Sequence, residues 1–269
     1  MSAYYSFISG LPDLEFDTQG GQKLPELYPG TLEDLLANAE VEWVRLLWIR
    51  QYHRGIVDYL SGEKRETGLP PGIPGGAFHS AAEEFGLLPE YLRKFVLWKE
   101  NDRAELPRPR ITHRLQILYF RQLLHAGNRF LRHWGVWEMN LLNFFAARRS
   151  ELLQAEKKEQ LIPGSSYSDL LLEFSCNQKI IHTEFSAVPQ LEPLLAQPDL
   201  LRREQETDRL RWQAIEEINR FEYFSVDVIL GYYQKLLLLE RWQRITHARE
   251  TADPLEIAGK YLAHSGIEE

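Results

Sequence analysis

Helical periodicity dominates the chain's pattern of hydrophobic and polar positions. Over residues 31–60, Leu35, Leu36, Val44, Leu47, Trp48 and Ile56 follow a period near 3.6, and Thr31 with Asp34 resembles a capping box, so the pattern predicts one helix there. Gly68-Leu69-Pro70-Pro71-Gly72-Ile73-Pro74-Gly75-Gly76 removes backbone donors and permits positive φ, which predicts a surface loop. Ser80-x-x-Glu83 and Pro89 each open a short helix, and Leu106-Pro107-Arg108-Pro109 makes a second break. From Ile111 to about Lys158 apolar residues fall on nearly every side, as in Ile117-Leu118-Tyr119-Phe120 and Leu141-Leu142-Asn143-Phe144-Phe145. Such helices are buried ones, and Gly135 marks the expected interruption.

After the loop Pro163-Gly164-Ser165-Ser166, helices are predicted over 169–181, 198–220 and 226–246, with Asp253-Pro254 starting a last one. Turn formers crowd the opening stretch to Gly30, leaving room only for a short element near residues 4–9, strand or helix. Sustained alternation with period two is nearly absent. The predicted class is therefore all-α, a multi-helix body of packed antiparallel helices. Residues 1–269 are expected to form a single helical body, and the place where a subdivision would fall is 160–168.

Composition changes this picture little: 44% hydrophobic and 26% charged residues describe an ordinary folded chain. Charge changes it more, because a net charge of −8 opposes binding to nucleic acid or anionic lipid unless a basic patch forms. One cysteine, Cys176, excludes an internal disulfide and a thiolate cluster, which fits a cytoplasmic protein. The N-terminus lacks the features of a secretory signal, and no stretch approaches the roughly 18 apolar residues of a membrane span. Any membrane association is expected to run through protein partners.

Motifs for catalysis are missing. Eight histidines lie scattered without compact ligand spacing, so no metal site is expected. His182-Thr183-Glu184 matches half of a zinc deaminase motif whose cysteine pair is absent, and reads as a helix-end histidine. Gly164-Ser165-Ser166-Tyr167-Ser168 reads as a capped turn rather than a nucleophile elbow. Gly72–Gly76 lacks the Gly-Lys-Ser/Thr of a phosphate loop and reads as a linker. Glu83-Glu84 and Glu216-Glu217 point apart on a helix, as solvated charges do, and Cys176 is a small core residue. Neither an enzymatic activity nor a cofactor is expected.

The sharper signal is electrostatic. Residues 107–136 hold Arg108, Arg110, Arg114, Arg121, Arg129 and Arg132 with no acidic residue. On a helix Arg110, Arg114, Arg121 and His125 fall within roughly 60° of one another. The stripe either pairs with the protein's own carboxylates or meets an acidic protein partner, and Arg110, Arg114 and Arg121 are the candidate partner-binding residues. Asn140 and Asn143 are expected to hydrogen-bond between helices in the core.

Four segments carry a resemblance to a known family. They are Tyr4-Tyr5-Ser6-Phe7-Ile8-Ser9-Gly10-Leu11-Pro12-Asp13-Leu14, Leu46–His53, Glu138-Met139-Asn140-Leu141-Leu142-Asn143-Phe144-Phe145-Ala146-Ala147-Arg148, and Ser225–Lys235 leading into Glu240–Ile245. Together they resemble the C (or d) subunit of V-type and A-type ATPases, and more closely a smaller bacterial group encoded beside V-type ATPase genes. Trp242 stands where that family has asparagine, and Leu46–His53 lacks the family's acidic residue and asparagine. The resemblance implies pseudo-repeated helical units, one of them reduced in so short a chain. It implies a non-catalytic central-stalk subunit between rotor shaft and membrane ring, with the other ATPase subunits as partners. A stand-alone helical adaptor or regulator with an acidic protein partner is the alternative.

Overall fold

The computed structural model of the protein describes residues 4–63, 68–78, 88–101 and 106–251. Among these residues every regular element is a helix, and the fold is all-α. The expected helices at Ser80 and at Asp253-Pro254, and the Glu83-Glu84 pair, lie outside the described residues.

The opening element is a helix, α1 (Tyr5–Gly10). The predicted helix over 31–60 is divided instead. Thr31 does not cap it: the Thr31 side chain turns back to Tyr28, accepting its N–H at 3.0 Å and donating to its carbonyl at 2.8 Å. The helix begins after Ala37, whose N–H donates to Glu40 Oε2 at 2.9 Å, so α2 runs over Asn38–Ile49. A 3-10 turn at Arg50–Tyr52 separates it from α3 (His53–Asp58).

The loop over 68–76 lies only partly at the surface, with Pro71, Gly72, Pro74 and Gly76 exposed. Leu69, Ile73, Ala77 and Phe78 are buried in the core, because prolines and glycines stop regular structure without preventing apolar burial. Pro89 opens α4 (Glu90–Asn101) as predicted, and the Leu106–Pro109 break leads into α5 (Arg108–Leu124).

α5 and α6 (Arg129–Leu153) form a hairpin, but the turn lies at 125–128 rather than at Gly135. Asn128 caps α6 by accepting the Leu131 N–H at 2.9 Å. Gly135 sits inside α6 at a point of close approach, where an added Cβ would lie 2.9 Å from Leu123 Cβ. The glycine serves packing between helices, not interruption.

The predicted helix over 169–181 is also two, α7 (Ser166–Glu173) and α8 (Lys179–Glu184), and α9 (Val188–Leu195) follows despite Pro189 and Pro193. Ser165 caps α7, accepting the Ser168 N–H at 3.1 Å. α10 (Leu200–Ile218) starts at Asp199, whose carboxylate accepts the N–H groups of Leu201 and Arg202, and α11 (Val226–Thr251) returns beside it.

The main core gathers side chains from α2 through α6 together with α10 and α11. A smaller core covers the C-terminal half of α6 with α7, α8 and α9, and contains Cys176, whose thiol burial pushes up to about 11. Trp137 touches both cores. Asn143 donates to the Ile162 carbonyl at 2.8 Å and accepts its N–H at 2.7 Å, while Asn140 accepts the Ser165 hydroxyl at 2.7 Å. The two amides therefore fix the 162–165 loop to α6 rather than helix to helix.

Candidate functional site

α6, α10 and α11 enclose a polar cleft whose floor is a chain of ion pairs. Arg211 on α10 forks onto Glu138 of α6, Nε to Oε2 at 2.8 Å and Nη2 to Oε1 at 3.0 Å. Its Nη1 donates to Asp208 Oδ1 at 2.7 Å. Burial disfavours the charge on Arg211, but Glu138 and Asp208 outweigh it and hold the guanidinium firmly protonated. Asp208 is fully buried and accepts two further donors at Oδ2, the Trp242 indole at 2.9 Å and Arg241. Arg241 then reaches Glu204 Oε2 at 2.6 Å. Each of the three carboxylates in this network, Glu138, Asp208 and Glu204, has a charged, hydrogen-bonded partner, the condition under which a buried ionic network is tolerated.

The end of α2 forms the opposite wall. Arg50 lies over the Tyr119 ring, 5.5 Å from its centroid, and its Nη1 approaches His53 Nδ1 at 3.5 Å. A guanidinium only donates, so Nδ1 accepts and the ring proton sits on Nε2, which donates to Tyr91 Oη at 2.6 Å. Burial, reinforced by the Arg50 charge, keeps His53 well below the ordinary imidazole range and therefore neutral. Arg54 and Arg244 complete the wall of a cavity of about 440 Å³. A second cavity of about 390 Å³ shares Arg50, His53 and Arg54 and adds Arg108, which is paired with Asp58.

The residues predicted for partner binding do not converge here. Arg110 pairs with Glu159 at 3.5 Å on the surface, and Arg114 lies over the Trp98 ring at 5.7 Å. Arg121 is exposed and lines a separate groove between α2, α4 and α5 with Glu42, Glu90 and Lys94. Within 107–136, Arg108, Arg110 and Arg129 meet carboxylates distant in sequence, Asp58, Glu159, and both Glu222 and Asp227. The stripe is thus partly neutralised from within.

The cleft residues were legible only in part. Arg50 with Arg54 and Arg241 with Arg244 have one-turn helical spacing, a signal for shared faces, but nothing in the sequence relates the two pairs across the fold. Elsewhere, His182 lies at the end of α8 facing Glu192 at 3.5 Å, and Glu216 accepts from Trp212 and Lys235, both at 2.9 Å. Among the described residues no three His, Cys, Asp or Glu side chains gather as a metal site, and no helix is long and apolar enough to cross a membrane. An exposed aromatic apex forms where Tyr5 of α1 meets Phe224, with ring centroids 4.6 Å apart, beside the exposed Phe221 and Tyr223.

The profile of one protein family, described as protein of unknown function (DUF2764), matches residues 77–253. No curated protein and no solved structure matches the chain.

Proposed function

The chain belongs to the DUF2764 family of proteins of unknown function, and from that premise we propose that it is a non-catalytic structural subunit of a V-type ATPase, a central-stalk coupler between rotor shaft and membrane ring. The observation that carries this reading is where the resembling segments sit. Three of the four, Leu46–His53, Glu138–Arg148 and Ser225–Lys235 with Glu240–Ile245, send side chains into one cleft, through Arg50 and His53, Glu138, and Gln234 and Arg241. Trp242, at the position where the ATPase subunit has asparagine, donates its indole N–H to Asp208.

A torque-bearing subunit must resist sliding of one helix on another. Ionic bonds with fixed geometry between α6, α10 and α11 supply directional resistance, and the close-packed apolar core around them supplies stiffness. The aromatic apex at Tyr5, Phe221, Tyr223 and Phe224 offers amphipathic contact area of the kind that anchors protein interfaces. In this reading the protein is cytoplasmic and reaches the membrane only through its partners.

Gentle purification of the tagged protein from its native cells, followed by mass spectrometry, tests the assignment. Co-purification of ATPase stalk and membrane-ring subunits, lost when those subunits are removed, is the expected result. Their reproducible absence, with intact ATPase recovered separately, overturns it. Charge reversal at Arg110, Arg114 and Arg121 is expected to weaken that capture, and unchanged capture would exclude the stripe as the contact.

A further inference from the structure

We propose that the arginine cleft walled by α2 and α11 is a binding site for a small oxyanion carrying two negative charges, of the phosphate or phosphate-monoester class. The proposal stands on the cleft alone and does not draw on the stalk reading.

Charge counting comes first. The lining contributes five arginines against three carboxylates, an excess of two positive charges in a protein whose net charge is −8. All three carboxylates are engaged by Arg211 and Arg241. Arg54 meets no carboxylate among the described residues. Arg244 reaches Glu240, which is outside the lining, only at 4.0 Å.

Arg50 is the most telling of the group. It is held by an aromatic face and by the lone pair of a neutral histidine, contacts that orient a guanidinium without neutralising it. His53 is in turn fixed by Tyr91. An oriented, uncompensated fork matches the geometry of a tetrahedral or planar oxyanion and has already lost part of its conformational entropy before binding.

Size and shape favour a compact dianion over an acidic peptide. A cavity of about 440 Å³ accommodates a phosphate with a small ester group. An extended acidic segment would spread its charges at about 3.3 Å per residue and carry them past Glu204 and Glu240, which repel it. A phosphate concentrates roughly two charges on one centre near neutral pH.

Isothermal titration of the full chain at fixed ionic strength in chloride, with inorganic phosphate and with glycerol phosphate as probes, tests the assignment. One saturable site is expected, weakened at least about tenfold by Arg50→Gln and by Arg54→Gln and unchanged by Arg121→Gln. Tighter binding of glycerol phosphate would identify an ester as the source of the dianion, and equal or weaker binding would identify free phosphate. Arg54 is exposed, so Arg54→Gln keeps the test valid if Arg50→Gln fails to fold. Absence of saturable binding, equal loss in Arg121→Gln, or preference for malonate or a poly-glutamate peptide over both probes overturns the proposal.

Discussion

Asp208 concentrates more of the structure's logic than any other side chain. It is fully buried, pairs with two arginines and accepts an indole N–H, so its removal takes one of two carboxylate partners from each guanidinium, leaving Arg211 with Glu138 and Arg241 with Glu204. Leaving a buried charge without a partner costs about 3–5 kcal/mol, and because both arginines keep a carboxylate, Asp208→Ala is expected to lower stability by an amount at the low end of that range in urea denaturation. A loss under about 1 kcal/mol would mean that solvent already shares the network. Gly55 is decided by backbone contact: an added Cβ would lie 1.9 Å from the Gly68 carbonyl oxygen. Gly55→Ala should cost about 1–3 kcal/mol or more by overpacking. Gly30→Ala, with nothing within 4 Å of the added atom, should be neutral in the same urea denaturation.

At the scale of elements, capping side chains set the starts of α6, α7 and α10, while prolines stand at the starts of α4 and α5. Asn128 starts α6 and also donates Nδ2 to Asp227 Oδ1 at 2.5 Å, joining the start of α6 to the start of α11. Loss of an N-cap typically costs about 1 kcal/mol, and the lost amide–carboxylate bond adds to it. Asn128→Ala is therefore expected to destabilise by about 2–3 kcal/mol, with Asn128→Asp recovering the cap but placing a second carboxylate against Asp227. Thermal melts of the two variants separate the contributions. α9 makes the complementary point, because Pro189 lies in its first turn, where no N–H is needed, and Val188 and Leu191 still bury in the smaller core.

For the whole molecule, histidine burial sets the acid side of the stability curve. His53 and His113 both have folded pKa values depressed, chiefly by burial, so the unfolded chain binds protons more readily than the folded one. Their contribution is full above the unfolded histidine pKa of about 6.5 and is lost as pH falls below it, by up to about 1.4 kcal/mol per pH unit per histidine. Asp17, Glu90 and Glu151 are lowered instead, which places their losses further down, below the unfolded carboxylate range near pH 4–4.5. Urea midpoints measured between pH 8 and 5.5 should fall with acid, and the slope should shrink in His53→Gln. An unchanged slope would show that His53 titrates normally in the folded protein.

The class of the fold, the buried character of α5, α6 and α11, and the Ser165 cap all follow from local rules. A 3.6-residue apolar period and a hydroxyl before a helix act over one or two turns, so a linear sequence is enough to express them. Contacts between distant segments obey no such rule. The division of 31–60 at Arg50, the packing role of Gly135 and the burial of Leu69 and Ile73 became visible only when other segments lay against them. The arginine cleft is the clearest case. Its walls come from positions nearly two hundred residues apart, and which guanidinium groups find a carboxylate is settled by tertiary distance, since charge interactions in a protein depend on separation and burial rather than on sequence order.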